Sequence, residues 1–306
     1  MIERKKLGGV IPAFYACYGD DGEVSEERTR ALARHLIKKG VNGLYVSGSS
    51  GECIYQNVEE RKRTIQYVME EAAGRVPVIA HVACNNTRDS CELAAFAQRE
   101  GADAIAAIPP IYFHLPEYAI AEYWNSISDA APDTDFIIYN IPQLAGTSLT
   151  RTLLKRMLEN PRVVGVKNSS VAIQDIQIEK MIGGRDFIVF NGVDEQFISG
   201  RAMGADGGIG GTYAVMPELF LKMNALIEEG DHQAALRIQM DVDRIIYAMC
   251  ECHGNLYAVM KEILRRREGL DIGRVREPLS QISDGDEEKI RACVLAIDEA
   301  VSACRG

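Results

Sequence analysis

Eight short apolar runs, at residues 9–15, 43–47, 78–82, 104–108, 136–139, 163–167, 187–191 and 206–209, recur along the chain with longer amphipathic stretches between them. Each run has the length of a strand. Several are apolar almost throughout, as strands covered on both faces of a parallel sheet must be. The intervening stretches repeat their apolar residues at helical spacing. In 25–39, Leu32, Leu36 and Ile37 share a face, Ser25 is a candidate N-cap, and Arg28 stands where a capping box would have Glu. Stretches 58–73, 87–100 and 120–131 behave likewise, and Gly40, Gly74 and Gly101 stand where helices stop in a left-handed residue. Eight successive β-then-α units predict an α/β fold, a (β/α)8 TIM barrel, completed by a helix over 217–229.

The 306 residues exceed what such a barrel needs. Stretch 231–267 is strongly helical in pattern, and 286–304 carries Ile290, Cys293, Val294, Ile297, Val301 and Cys304 at helical spacing. The chain therefore reads as a catalytic barrel over 1–230 followed by a C-terminal helical domain over 231–306. Hydrophobic residues at 47% rule out disorder as a description of the whole. The net charge of −10 argues against nucleic acid. The basic runs Arg4-Lys5-Lys6, Arg61-Lys62-Arg63 and Arg265-Arg266-Arg267 are short and read as solvated faces. The longest charge-free stretch, 136–150, is too short to span a bilayer. Residues 4–16 loosely resemble a signal peptide, but Gly8, Gly9 and Pro12 make a poor helical segment, so a cytoplasmic protein without a membrane partner is predicted. The eight cysteines form no C-x-x-C pair and read as small buried hydrophobes of a reducing compartment.

In a barrel the chemistry sits beyond the C-terminal ends of the strands. Lys167 closes the run Val163-Val164-Gly165-Val166. Burial disfavours its cation and frees a lone pair that attacks carbonyls; the alternatives are a lysine that snorkels to the rim or pairs with a carboxylate. Tyr139 ends the neighbouring run and is either a proton relay or a core tyrosine. Gly48-Ser49-Ser50-Gly51 is a hydroxyl-rich turn suited to a carboxylate or a phosphate, and no Gly-Lys-Ser/Thr follows to make it a P-loop. Gly207-Gly208-Ile209-Gly210-Gly211 lacks the spacing of a dinucleotide fingerprint. Cys250, Cys252 and His253 form a lone cluster, and the five histidines are scattered, so no metal and no cofactor is predicted.

Gly-Ser-Ser-Gly-Glu at 48–52, Tyr-Asn-Ile-Pro at 139–142 and Gly-Val-Lys at 165–167, in this order, resemble the dihydrodipicolinate synthase / N-acetylneuraminate lyase family of class I aldolases over nearly the whole chain. The resemblance implies that Lys167 forms a Schiff base. Within the family the lyase branch is the nearer likeness, carried by Ala80-His81-Val82-Ala83-Cys84, Asn191-Gly192-Val193-Asp194-Glu195 and 205–210. The arginine that synthases carry after Tyr-Asn-x-Pro is missing from Gln143-Leu144-Ala145-Gly146. The implied reaction is reversible cleavage of sialic acid to N-acetylmannosamine and pyruvate. It implies that Ser49 and Ser50 bind the carboxylate, with Ser50 also among the catalytic groups. Tyr139 would shuttle protons, and Tyr112 would assist from a neighbouring subunit of a homotetramer. Gly192, Asp194 and Glu195 would hold the sugar, with Tyr257 lining the pocket. Ser50 and Ser169 stand where threonine is expected. Gly211 replaces a substrate-touching serine, a loss of one hydrogen bond of about 1 kcal/mol. Rival readings are another keto-acid aldolase or synthase of the family, a non-catalytic sugar-acid-binding paralogue, and a metal-dependent phosphate-binding barrel.

Overall fold

The computed structural model describes residues 7–304. The elements run in the predicted cadence: β1 (Gly9–Pro12), α1 (Glu26–Lys39), β2 (Leu44–Val46), α2 (Val58–Ala72), β3 (Val78–His81), α3 (Thr87–Arg99), β4 (Ala104–Ala107), α4 (Glu117–Ala130) and β5 (Asp135–Asn140). They continue with α5 (Pro142–Ala145), α6 (Arg151–Met157), β6 (Val163–Asn168), α7 (Gln174–Gly183), β7 (Ile188–Asn191), α8 (Phe197–Ala202), β8 (Gly207–Gly210) and α9 (Pro217–Glu229). Three helices follow: α10 (His232–Cys250), α11 (Leu256–Glu268) and α12 (Glu287–Ala303).

All eight strands are parallel, each bonded to its neighbours in the order 1-8-7-6-5-4-3-2. The ring closes between β1 and β2 through single contacts rather than a full ladder. Ala13 bridges Tyr45, Phe14 N donates to Tyr45 O at 2.8 Å, and Asn42 N donates to Val10 O at 2.8 Å. Alternation along the strands sorts the side chains into two cores. On β5, Phe136 and Ile138 pack outward against the helices, while Ile137 and Tyr139 point into the barrel with Ile11, Ile79, Val164, Phe190 and Ile209. The chain is thus a (β/α)8 TIM barrel with helices appended at its C-terminus.

Local signals explain the helix ends. Ser25 Oγ accepts from Arg28 N at 3.3 Å, and the Arg28 guanidinium instead of a Glu reaches back, to Tyr18 O at 2.6 Å. α2 starts in a reciprocal capping box of Asn57 and Glu60. Gly40 ends α1 at φ 87°. The helical stretch 231–267 is broken at 251–255, where Gly254 lies against Ile282 so closely that a Cβ would come within 2.9 Å of Ile282 Cα. There the Asp286 carboxylate accepts from His253 N and Gly254 N, and Asn255 caps α11.

Two surface readings need correction. Arg61 is no solvated residue: it is buried, donating to Ala83 O at 2.7 Å and His81 O at 2.6 Å. Arg267 too is largely covered, paired with Glu218, Glu268 and Asp298. Arg4-Lys5-Lys6 lies outside the described residues. Of the cysteines only Cys17 and Cys293 are buried, Cys250 is exposed, and all eight are free thiols. Among the described residues no helix is long and apolar enough to cross a membrane, and no group of three His, Cys, Asp or Glu is arranged to hold a metal ion.

Candidate active site

Lys167 points into the barrel because β6 is irregular. Phe136 pairs with Val163 but Ile137 pairs with Gly165, so β6 carries one residue more than β5 over this step. A bulge resets the alternation. Val163 faces the helices and Val164 the interior, yet Val166 faces out again and Lys167 in. Gly165 is required here, since a Cβ would meet Ile188 O on β7 at 2.5 Å.

The Lys167 side chain is buried, with Nζ 3.9 Å from the ring centre of Tyr139 and 4.2 Å from that of Tyr45. Burial brings its pKa down from 10.5 to about 7, while the charge of Asp194 pulls the other way. Among the described residues Lys167 closes no ion pair. An amine held this way is substantially neutral near pH 7, the form that adds to a ketone.

A cavity of about 260 Å³ opens above it, lined by Ser49, Ser50, Tyr139, Lys167, Ser169, Gly192, Asp194, Glu195, Gly211 and Tyr257, among others. Ten of the eleven predicted site residues therefore meet in one place. The eleventh, Tyr112, lies outside it: the residue is 87% exposed, its backbone is left-handed at φ 81°, and its ring stands edge-on to Phe113.

The loop after β2 is wound tightly. Gly51 N donates to Gly48 O and Glu52 N to Ser49 O, both at 3.0 Å, with Ser47 and Glu52 in left-handed conformations at φ 58° and 52°. Non-glycine residues held there store strain that surrounding contacts must offset. Glu52 supplies the anchor. Its buried carboxylate accepts from Lys261 Nζ of α11 at 2.7 Å and from Arg276 N at 2.8 Å, and Lys261 Nζ also donates to Arg274 O at 2.9 Å. The serines are thus set by a segment more than two hundred residues away.

Tyr139 is a neutral phenol. Burial pushes it up to about 12, and the hydroxyls of Ser49 and Ser169 favour ionisation. Ser169 lines the cavity, and its Oγ is buried with no completed hydrogen bond. Asp194 is held in place, its Oδ2 accepting from Thr212 N at 2.7 Å and Thr212 Oγ1 at 2.6 Å. Burial raises its pKa to about 6, countered chiefly by Thr212. Gly192 lets the end of β7 close on β6, for a Cβ would sit 2.1 Å from Ser169 Oγ. Tyr257 comes from α11, its ring centre 6.4 Å from that of Tyr15, whose hydroxyl donates to Gly211 O at 2.5 Å. The wall is completed by Ile246 and Cys250 of α10 and Leu256 and Met260 of α11.

The sequence profile of the dihydrodipicolinate synthetase family matches residues 6–297. The chain belongs to that family. It is 58% identical over 300 residues to an N-acetylneuraminate lyase of Mediterraneibacter gnavus, covering 98% of this chain and 95% of that one. Its fold superposes on a catalytic lysine mutant of Ruminococcus gnavus sialic acid aldolase with a TM-score of 0.98 at 57% identity, covering 99% of both chains. It also matches Clostridium difficile CdNal, solved with mannosamine, with a TM-score of 0.90 at 27% identity, covering 94% of this chain and 98% of that one.

Sequence reasoning missed Tyr45, Thr212 and the Glu52–Lys261 anchor. Tyr45 sits inside an apolar run and looks like any core aromatic. Thr212 stands among the hydroxyls at the strand ends, but nothing in the sequence pairs it with Asp194. Glu52 was visible in the Gly-Ser-Ser-Gly-Glu motif, but its partner lies 209 positions on.

Proposed function

We propose that this family member is a Schiff-base lyase that cleaves N-acetylneuraminate reversibly to N-acetylmannosamine and pyruvate. The observation that carries the reading is the buried, unpaired amine of Lys167 at the floor of a hydroxyl-lined cavity. Lys167 stands where that chemistry needs a neutral nucleophile, and the similarity to N-acetylneuraminate lyases supports the choice of substrate.

Ser49 and Ser50 hold the substrate carboxylate. The Lys167 nitrogen adds to the C2 ketone of the open-chain sugar acid, and water leaves as Tyr139 relays protons, giving a protonated imine. Removal of the C4 hydroxyl proton breaks the C3–C4 bond. Its electrons pass into the iminium to leave an enamine, and N-acetylmannosamine departs as the aldehyde. Protonation of the enamine at C3 and addition of water release pyruvate and restore the amine. Asp194 and Glu195 accept hydrogen bonds from the sugar hydroxyls, and Gly192 and Gly211 leave room for its chain.

The reading includes a cytoplasmic homotetramer in which Tyr112 completes the site of a neighbouring subunit, supported by the bare Tyr112–Phe113 pair at the surface. It also divides the chain at residue 230 into a catalytic barrel and a helical domain that closes one wall of the cavity. No cofactor and no metal enters the reaction.

Borohydride reduction in the presence of pyruvate or N-acetylneuraminate, followed by peptide mass spectrometry, tests the proposal. A reduced pyruvyl adduct is expected on Lys167, and Lys167→Ala abolishes adduct and turnover together. An unmodified Lys167 overturns the mechanism. An adduct with pyruvate without cleavage of the sugar acid moves the substrate to another keto acid of the family.

A further inference from the structure

The nitrogen of Lys167 carries positive charge during the proposed cycle, as the protonated imine, and among the described residues no carboxylate pairs with it, Asp194 acting only through space. A carboxylate there would be counterproductive: an ion pair raises the amine pKa and keeps the resting lysine as an unreactive ammonium. What Nζ does touch is two aromatic faces, Tyr139 at 3.9 Å and Tyr45 at 4.2 Å from the ring centres.

The two rings differ in what else they do. Tyr139 has hydroxyl neighbours and serves as the proton relay. The Tyr45 hydroxyl is buried without a hydrogen-bond partner, so it has no route for relaying a proton. Its ring is nevertheless locked. Tyr139 stands edge-on to it with centroids 5.8 Å apart at 82°, and the His81 ring lies 6.3 Å away. Gly48 lies flat against it, since a Cβ there would come within 2.6 Å of Tyr45 Cε1. These contacts fix the ring with its face toward Nζ.

We infer that Tyr45 is a catalytic residue of this site, its ring face stabilising the positive charge that develops on the Lys167 nitrogen when the imine forms. The inference rests on the Schiff-base reading and adds to it a source of cation stabilisation that leaves the resting amine free. A desolvated cation over an aromatic face gains enough to change its population by roughly two- to thirty-fold, too little to trap the amine as ammonium and enough to favour the iminium.

The test separates ring electronics from packing. Position 45 is replaced by phenylalanine and, through stop-codon suppression, by 4-fluoro-, 3,5-difluoro- and 3,4,5-trifluorophenylalanine, which keep the shape and progressively weaken the negative face. Borohydride-trapped pyruvate adduct, kcat for N-acetylneuraminate cleavage and melting temperature are measured for each. Tyr45→Phe is expected within about twofold of the wild type. The fluorinated series is expected to fall stepwise to roughly a tenth in adduct and kcat with little change in melting temperature. Tyr45→Leu, which fills the space without a ring, is expected to lose a similar factor. A flat series overturns the assignment, and so does a full loss at Tyr45→Phe, which would place the effect in the hydroxyl. An adduct on wild-type Lys167 with a flat series sinks only the role of Tyr45; no adduct in the wild type sinks the Schiff base and the role of Tyr45 together.

Discussion

Replacing Lys167 by methionine should make the protein more stable while removing its activity. The amine falls from a pKa of 10.5 to about 7 on burial, with desolvation the largest cause. At about 1.4 kcal/mol per pH unit, the folded state is disfavoured by about 5 kcal/mol wherever the unfolded lysine is protonated and the folded one would have to be. The sign follows from proton counting. Between pH 7 and 10.5 the unfolded chain binds a proton that the folded chain does not, so wild-type stability rises with pH across that window and is lowest, and flat in this contribution, below pH 7. Methionine has similar length and no charge to desolvate. The expected gain is therefore a few kcal/mol at pH 7 or below, shrinking by about 1.4 kcal/mol per pH unit above it. Denaturant titrations of the wild type and Lys167→Met, without substrate, at pH 6, 7, 8 and 9 read it directly. A variant less stable than the wild type at pH 6, or a stability gap that does not change between pH 7 and 9, would falsify the account of a desolvated neutral amine.

Tyr139→Phe is expected to keep the fold, because the ring packing remains, and to lower kcat roughly a hundredfold or more through loss of the proton relay; turnover within a factor of three of the wild type takes Tyr139 out of the mechanism. Gly211→Ser is expected to fold, since φ is an ordinary −71°, with Ser50 giving way by a few tenths of an ångström because the new Cβ would sit 3.2 Å from its Oγ, closer than ordinary van der Waals contact. The added hydroxyl restores a hydrogen bond worth about 1 kcal/mol, so KM for N-acetylneuraminate should fall roughly fivefold with kcat little changed; an unaltered KM shows that the glycine was not limiting affinity.

Strand cadence and barrel were legible because burial on both faces leaves a nearly continuous apolar record, and Ser25, Gly40 and the 217–229 helix appear where their local chemistry dictates. Lys167 was legible as a charge at the end of such a record. The direction it points was not, for it depends on the extra residue at Val164, which strict alternation along 163–167 does not reveal. Arg61 was misread because it sits between Glu60 and Lys62 on a helix; it is taken inside by the carbonyl oxygens of His81 and Ala83, contacts between distant segments. Tyr45 escaped for a related reason. Composition marks an aromatic on a strand as core, and only the closing of the ring between β1 and β2 brings that face against the amine.

The link from Glu52 to Lys261 and the Arg276 amide imposes an order on synthesis. When the ribosome has delivered residue 230, every strand has emerged, and so has the pair of serines. The acid beneath them still lacks its cation and its amide donor. Until some forty-six further residues arrive, that loop has no counterweight for its two left-handed residues, so a nascent chain holds all eight of its strands well before the Ser49–Ser50 turn is anchored.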